Sequence, residues 1–530
     1  MARAILFTLA ILICCQTILA QPLESFGLSL SRFLHRTPQN KYWEMRKQMM
    51  SEEKQQSLGG KLELNFIETK ANEILMRAKL REIHDGFMTG DSFLPSYNFM
   101  EVIPEIEKSE VFKILRDMPK GAVLHAHSTA IASLEYRFNL TYRENLYVCD
   151  ENSNLRLKFF DVPGNDCNWK LLSKVRENPI RADAINEKIK RSMTMVTENP
   201  NSAYNTVDKA WEKFDSVFKA WRFLVSYRPV FEDLHYRNLQ ELYEDNVMYA
   251  EIRSTLTSIY DLDGKTYGSY KMVQILKNVT DRFVKDHPDF IGAKIIYAPG
   301  RRANQEKVEN YLTTLTQLKL FYPDFIAGFD LVGQEDKGKF LREFANKLDT
   351  VEPEIPFFFH AGDEMVRNVD RLESLRCFLA QHQTHQPRRT GFKHRHLRHF
   401  FRYALTKHPF LWKLVQQLGI AVEVCPISNQ VLGLVEDMRN HPAASLFALD
   451  SPVVISNDDP AVWGAKGLSY DFYEAFMGIM SADSDLRSLK QLAINSLTYS
   501  SLSKQQQRSA LGKWKVKWDA FVAKLANYDN

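Results

Sequence analysis

The chain changes rhythm near residue 121. Before that point apolar residues recur at intervals of three and four among charges, as in KLELNFIETKANEILMRAKLREI. This spacing puts them on one helical face, so residues 21–115 are expected to form a helical N-terminal domain that serves packing or dimerisation. After it, short apolar or β-branched runs alternate with amphipathic helical stretches. The runs are GAVLHAH (121–127), NVMYAEIRS (246–254), IGAKIIYA (291–298), FIAGFDLVG (325–333), IPFFFH (355–360), GIAVEVC (419–425) and PVVIS (452–456). Strand and helix repeated in this way predict a parallel α/β architecture. The runs read as apolar on both faces, as strands in a closed barrel or a covered sheet must be. An eighth strand is expected between residues 360 and 419. Residues 132–205 are long and polar and read as a module inserted after the first strand.

Composition narrows the class. The chain has 530 residues, 45% of them hydrophobic, enough for a large core with an accessory region. A net charge of +4 argues against a nucleic-acid binder driven by overall charge. The first twenty residues, MARAILFTLAILICCQTILA, predict a secretory signal peptide cut near Ala20. The competing reading is an uncleaved anchor, but the run is short and no basic cluster follows it. No later stretch has the length and apolarity of a membrane span, so a secreted, soluble protein is expected. Of six cysteines, Cys14 and Cys15 leave with the signal. Cys149 and Cys167, in a loop-like polar stretch, can close a disulfide in an oxidising compartment. Cys377 and Cys425 are expected to be free, the latter as a buried small hydrophobe. Asn139-Leu-Thr and Asn278-Val-Thr are glycosylation sequons.

The candidate chemistry lies at the ends of the apolar runs, where barrel active sites form. The first run ends at His125 and His127, two apart and therefore on one side of a strand. The fifth ends in FFFHAGDE with His360, and the last in VVISNDDP with Asp458 and Asp459. Singly, an H-x-H pair is mostly incidental and a DDP is mostly a turn. Together, three imidazoles and a carboxylate from separate strand ends suit a zinc ion that keeps a place for one water.

MPKGAVLHAHS, YEDNVMYAEIR, GFDLVGQED, FFFHAGDE, VEVCPISNQVLGL and ISNDDPAVWGAKGLSYDFYEAFMGI resemble the secreted adenosine deaminases of the adenosine deaminase-related growth factor group, the adenosine deaminase 2 family. The resemblance spans nearly the whole chain after residue 20. It implies a zinc-containing (β/α)8 TIM-type barrel over 116–525, with one Zn2+ per chain held by His125, His127, His360 and Asp458. It implies that Asp459 holds the water or the purine, that Gly333 lets backbone approach the purine, and that Trp211 lines the nucleoside pocket. It also implies a receptor-binding role for the insertion at 132–205, a homodimer through the amino-terminal helices, and adenosine as substrate.

Three positions depart from that family's pattern. Where the family has Asp after the H-x-H pair, to help hold the ribose, this chain has Ser128. Where the family's HAGE glutamate protonates the purine, it has Asp363. That side chain is one methylene shorter, a retreat of roughly 1 Å that can cost about a hundredfold in rate. Glu364 follows, but on an extended backbone it points the opposite way. Where the family's histidine deprotonates the zinc water, it has Phe401, which accepts no proton. Loss of a general base costs roughly 10² to 10⁴ in rate. His399, His394 and His396 are nearby alternatives, without the flanking glycines of the family motif.

The stretch 381–403, QHQTHQPRRTGFKHRHLRHFFRY, changes composition abruptly. It reads as a basic patch for proteoglycan-like polyanions, as a solvated loop, or as an error in the gene model or reading frame. The functional expectation is a secreted adenosine deaminase-type protein with catalysis weak or lost, acting as a growth-factor-like or nucleoside-binding protein. The alternatives are a fully active extracellular adenosine deaminase and a related hydrolase with another substrate. The length of the match past DDP counts against the last of these.

Overall fold

The computed structural model describes residues 39–89, 92–151, 154–335, 337–352, 354–360 and 404–528. The expected signal peptide, and the stretch 361–403 with Asp363, Cys377, Phe401 and the expected eighth strand, lie outside the described residues. The chain divides into two compact units, Met1–Gln56 and Ser57–Asn530. In the first, helix Gln39–Gln56 exposes Tyr42, Trp43, Met49 and Met50.

The second unit opens on helix Phe66–Met88. Asn65 caps it by accepting the peptide N–H groups of Ile67 and Glu68, and the Glu68 carboxylate accepts in return from the Asn65 N–H. A cap of this kind stabilises by about 1 kcal/mol. Ala71, Ile74, Leu75 and Ala78, at three- and four-residue spacing, form its buried face, as the sequence pattern predicts.

The strands are β1 (Gly121–His127), β2 (Leu146–Glu151), β3 (Asn154–Phe159), β4 (Lys170–Leu171), β5 (Val247–Ser254), β6 (Ile259–Tyr260), β7 (Thr266–Tyr267), β8 (Gly292–Tyr297), β9 (Ile326–Phe329), β10 (Val422–Val424) and β11 (Val453–Ile455). β1, β5, β8 and β9 pair in parallel in that order, and β10 pairs in parallel with β11. A parallel bridge from Phe329 to Phe357 adds the IPFFFH run beside β9, and another from Ala126 to Asp458 joins the end of β11 back to β1. Spatial order thus follows chain order round a ring, the arrangement of a (β/α)8 TIM-type barrel. Helices Arg228–Glu244, Ser269–Asp286 and Gln305–Phe321 precede β5, β8 and β9.

The ring is a packed core. All of β5 is buried, and the Phe357 and Phe359 rings stack at 5.0 Å. Each fully buried Phe contributes about 1.5–3 kcal/mol. The expectation of strands apolar on both faces needs correction, because β5 carries buried Glu251 and Arg253 and β10 carries buried Glu423. Closure of the ring leaves an enclosed interior where paired charges can sit.

Residues 132–205 carry more regular structure than their polarity suggests. β3, β2 and β4 form an antiparallel sheet, with Leu155, Leu157 and Phe159 alternately buried. Cys149 lies within β2 opposite Arg156, not in a loop, and bonds to Cys167. A bridge over 18 residues contributes about 3 kcal/mol in the chain-entropy account. Cys425 is buried. Asn139 and Asn278 are exposed, on helices Leu134–Leu140 and Ser269–Asp286. Among the described residues, no helix is long and apolar enough to cross a membrane.

Candidate active site

Barrel closure builds the site. The His127 N–H donates to the Asp458 carbonyl at 3.0 Å, and the Asp458 N–H donates to the His125 carbonyl at 3.0 Å. Both imidazoles of β1 therefore face the Asp458 side chain. Its Oδ1 lies 3.1 Å from Nε2 of His125 and 3.0 Å from Nε2 of His127. Asp458 has φ of 58°, in the left-handed region that non-glycine residues seldom occupy. Such strain persists where surrounding contacts over-determine it, often at functional sites. Here the closing bonds and the Ser428 hydroxyl do so, the latter donating to Oδ2 at 2.7 Å.

His360 arrives from the end of the IPFFFH run. Its ring centroid lies 4.6 Å from that of His125 and 5.6 Å from that of His127. Ligand atoms of His125, His127, His360 and Asp458 all lie within 4.8 Å of one another. The outer nitrogens of two of these rings are anchored. Nδ1 of His360 lies 2.7 Å from Oδ2 of Asp330, and Nδ1 of His125 lies 3.0 Å from Oε2 of Glu423. Burial alone would raise the Asp330 carboxyl, but His360 and the Arg253 guanidinium outweigh it and hold it well below the usual range. An ionised carboxylate only accepts, so Nδ1 of His360 carries the proton and Nε2 keeps its lone pair for a metal. Burial, with Arg253 beside it, also pushes His125 well below its ordinary value. Burial lowers His360 too, against the pull of Asp330. Neutral imidazoles are the ligating form. His127 moves the other way, because Asp459 and Asp458 outweigh its burial.

The cluster opens into a cavity of about 260 Å³. Trp211, Phe214 and Phe218 form one apolar wall, with Leu432 and Leu434 also lining the cavity. The three aromatic residues lie at i, i+3 and i+7 on helix Val207–Val225, and their rings meet edge to face at 5.2 and 4.8 Å. Ser128, Thr129, Ser254 and Thr255 line it with hydroxyls, and the Ser128 hydroxyl donates to that of Ser254 at 3.2 Å. Asp459 also lines it; among the described residues its buried Oδ1 has no hydrogen-bond partner, nor has Nε1 of Trp211. Burial and the neighbouring Asp458 raise the Asp459 carboxyl. Gly333, at φ of 107°, turns bare backbone towards the cavity, and a Cβ there would meet none of the described residues within 4 Å. A compact nest of ligand atoms under an apolar wall with a few polar groups is the form of a small-molecule metal site.

The Adenosine deaminase family matches residues 187–515, and the Adenosine/AMP deaminase N-terminal family matches residues 10–115. The chain belongs to the adenosine deaminase family. It is 42% identical to adenosine deaminase of Phlebotomus duboscqi over 480 residues, 89% of this chain and 90% of that relative. It is 38% identical to adenosine deaminase 2 of Homo sapiens over 523 residues, 97% of each chain. Two solved structures share the fold. One is an amidohydrolase from Burkhoderia ambifaria with bound Zn, with a TM-score of 0.53 at 15% identity over 78% of this chain and 94% of that one. The other is the Arabidopsis N6-mAMP deaminase, with a TM-score of 0.51 at 16% identity over 76% of this chain and 99% of that one.

Among the residues expected from sequence, His125, His127, His360 and Asp458 form the cluster, and Ser128, Trp211, Gly333 and Asp459 line the cavity. Asp363 and Phe401 lie outside the described residues. Sequence reasoning missed Arg253, Asp330, Glu423 and Ser428. For Arg253, Asp330 and Glu423 the available signal was a charge within or closing an otherwise apolar run, as in YAEIRS, AGFD and AVEVC; Ser428 had no such mark.

Proposed function

We propose that the chain is an extracellular zinc-dependent adenosine deaminase-type protein, converting adenosine and water to inosine and ammonia at an attenuated rate. The observation that carries this is the four-residue cluster opening beneath an apolar, aromatic wall. Three imidazoles and one carboxylate are a donor set that suits zinc, and the two anchored rings turn their other nitrogens inward. His125, His127, His360 and Asp458 would hold the ion. Zinc would supply the Lewis acidity that makes a water nucleophilic near neutral pH. Asp459 offers to that water or to the purine ring a carboxylate oxygen that has no partner among the described residues. Trp211 covers the base, Gly333 admits it close to backbone, and Ser128 with Ser254 presents neutral hydroxyls to the sugar. By the sequence motif, Asp363 takes the position of the proton donor to the purine and Phe401 that of the base, both outside the described residues. Attenuation follows from a shortened acid and an absent base.

The signal-like first twenty residues, the Cys149–Cys167 bridge and the exposed sequons at Asn139 and Asn278 support an extracellular setting. In this reading the insertion serves a receptor or proteoglycan, and the amino-terminal helices serve a second copy. With turnover attenuated, binding of nucleoside and receptor becomes the main activity.

The test is adenosine turnover by zinc-loaded protein, beside Asp363→Glu with Phe401→His. Slow inosine formation, raised about a hundredfold or more by the double variant, is expected. A starting rate within about tenfold of an intact relative would refute attenuation and favour the fully active alternative.

A further inference from the structure

Arg253 sits at the centre of the barrel with its side chain wholly buried. It projects from β5, a strand that supplies none of the four ligand residues. Its Nε donates to Oδ2 of Asp330 at 2.7 Å and one terminal nitrogen donates to Oε2 of Glu423 at 3.0 Å. These are the same two oxygens that face Nδ1 of His360 and Nδ1 of His125. The guanidinium also donates to the Leu124 carbonyl at 3.0 Å and to the Phe358 carbonyl at 3.2 Å. Leu124 directly precedes His125, and Phe358 lies two residues before His360. One rigid group therefore touches both histidine-bearing strands and both carboxylates that orient their rings.

We propose that Arg253 is a positioning residue that sets the inward lone pairs of His125 and His360 together, so that the two rings meet one ion in fixed relative geometry. This rests on the reading of the cluster as a metal centre. The physical basis is the planar fork of the guanidinium, whose donors diverge at fixed angles. Each carboxylate oxygen accepts at once from the fork and from an imidazole, so the angle between the two imidazoles is inherited from Arg253. Its charge also lies between two buried carboxylates that would otherwise repel each other in a low-dielectric interior. A lysine keeps the charge, but its single ammonium lacks the diverging donors and cannot reproduce the fork.

The experiment compares wild type, Arg253→Lys and Arg253→Met for zinc affinity by chelator competition. Histidine-selective 15N spectra of the metal-free proteins provide a second readout. Arg253→Lys is expected to unfold cooperatively, bind zinc about 10–100-fold more weakly, and lose the fixed Nδ1–H form at His125 and His360 together. Folded Arg253→Lys with wild-type zinc affinity and unchanged imidazole signals would overturn the proposal. Should neither variant fold, the metal-free wild type decides. Slowly exchanging Nδ1–H protons on both rings support the proposal, and mixed tautomers overturn it. Folded wild type that takes up no zinc overturns the metal-centre reading instead, a different result from an unchanged Arg253→Lys.

Discussion

One carboxylate fixes His360 twice. Asp330 accepts the backbone N–H of His360 on Oδ1 at 3.0 Å, and its Oδ2 lies 2.7 Å from the ring Nδ1. Backbone and side chain of a candidate ligand are thus held by a single group at the end of β9, two strands from β5. The ring has little freedom left, and Nε2 is the nitrogen it turns to the cluster.

Asp330→Asn tests that restraint. An amide NH2 in place of one oxygen sets a donor against the donors of Arg253 or His360. Zinc affinity is expected to fall about 10–100-fold with the barrel still folded. Chelator competition measures it, and an unchanged affinity would show that Asp330 is dispensable to the site.

Trp211 tests the cavity. Replacing it with Ala removes the largest ring of the wall over the cluster and leaves the ligand residues in place. Adenosine binding is expected to weaken about tenfold or more, as loss of a base-stacking ring does elsewhere, while zinc content stays at the wild-type level. Calorimetric titration of zinc-loaded protein reads the first quantity and elemental analysis the second. An unaltered adenosine affinity would remove Trp211 from the binding wall.

Glu474 gives a pH signature. Burial pushes its carboxyl up to about 8 from an ordinary 4.5, so the folded state favours the protonated form. The associated stability is full below about pH 4.5 and is lost as pH rises through about 8. Glu474→Gln mimics the protonated form at every pH. Chemical unfolding should show the two proteins alike near pH 4 and the variant more stable at pH 8.5. Parallel curves across that range would refute a raised Glu474.

Much of this was legible in the chain, for identifiable reasons. GAVLHAH and NVMYAEIRS are read as strands because a covered barrel strand needs continuous apolar character, and H-x-H at a strand end puts two imidazoles on one side. What stayed hidden depends on partners far apart in sequence. Arg253 meets Asp330 and Glu423 across separations of 77 and 170 residues, so a charge inside an apolar run is visible locally but its partners are not. β3 is hidden within the polar module at 132–205 because its polar positions alternate with Leu155, Leu157 and Phe159. That is the signature of a half-covered sheet, and it disappears in an average over the segment. Asp458 was found by its motif, but the left-handed backbone that aims it follows from ring closure.

The central claim is that His125, His127, His360 and Asp458 form one metal centre. Anomalous scattering at the zinc edge, from crystals of protein purified without chelators, tests it most directly. The account predicts a single peak about 2.0–2.2 Å from Nε2 of each histidine and from Oδ1 of Asp458. A folded barrel with no peak among these four residues, even after growth in zinc, would contradict it.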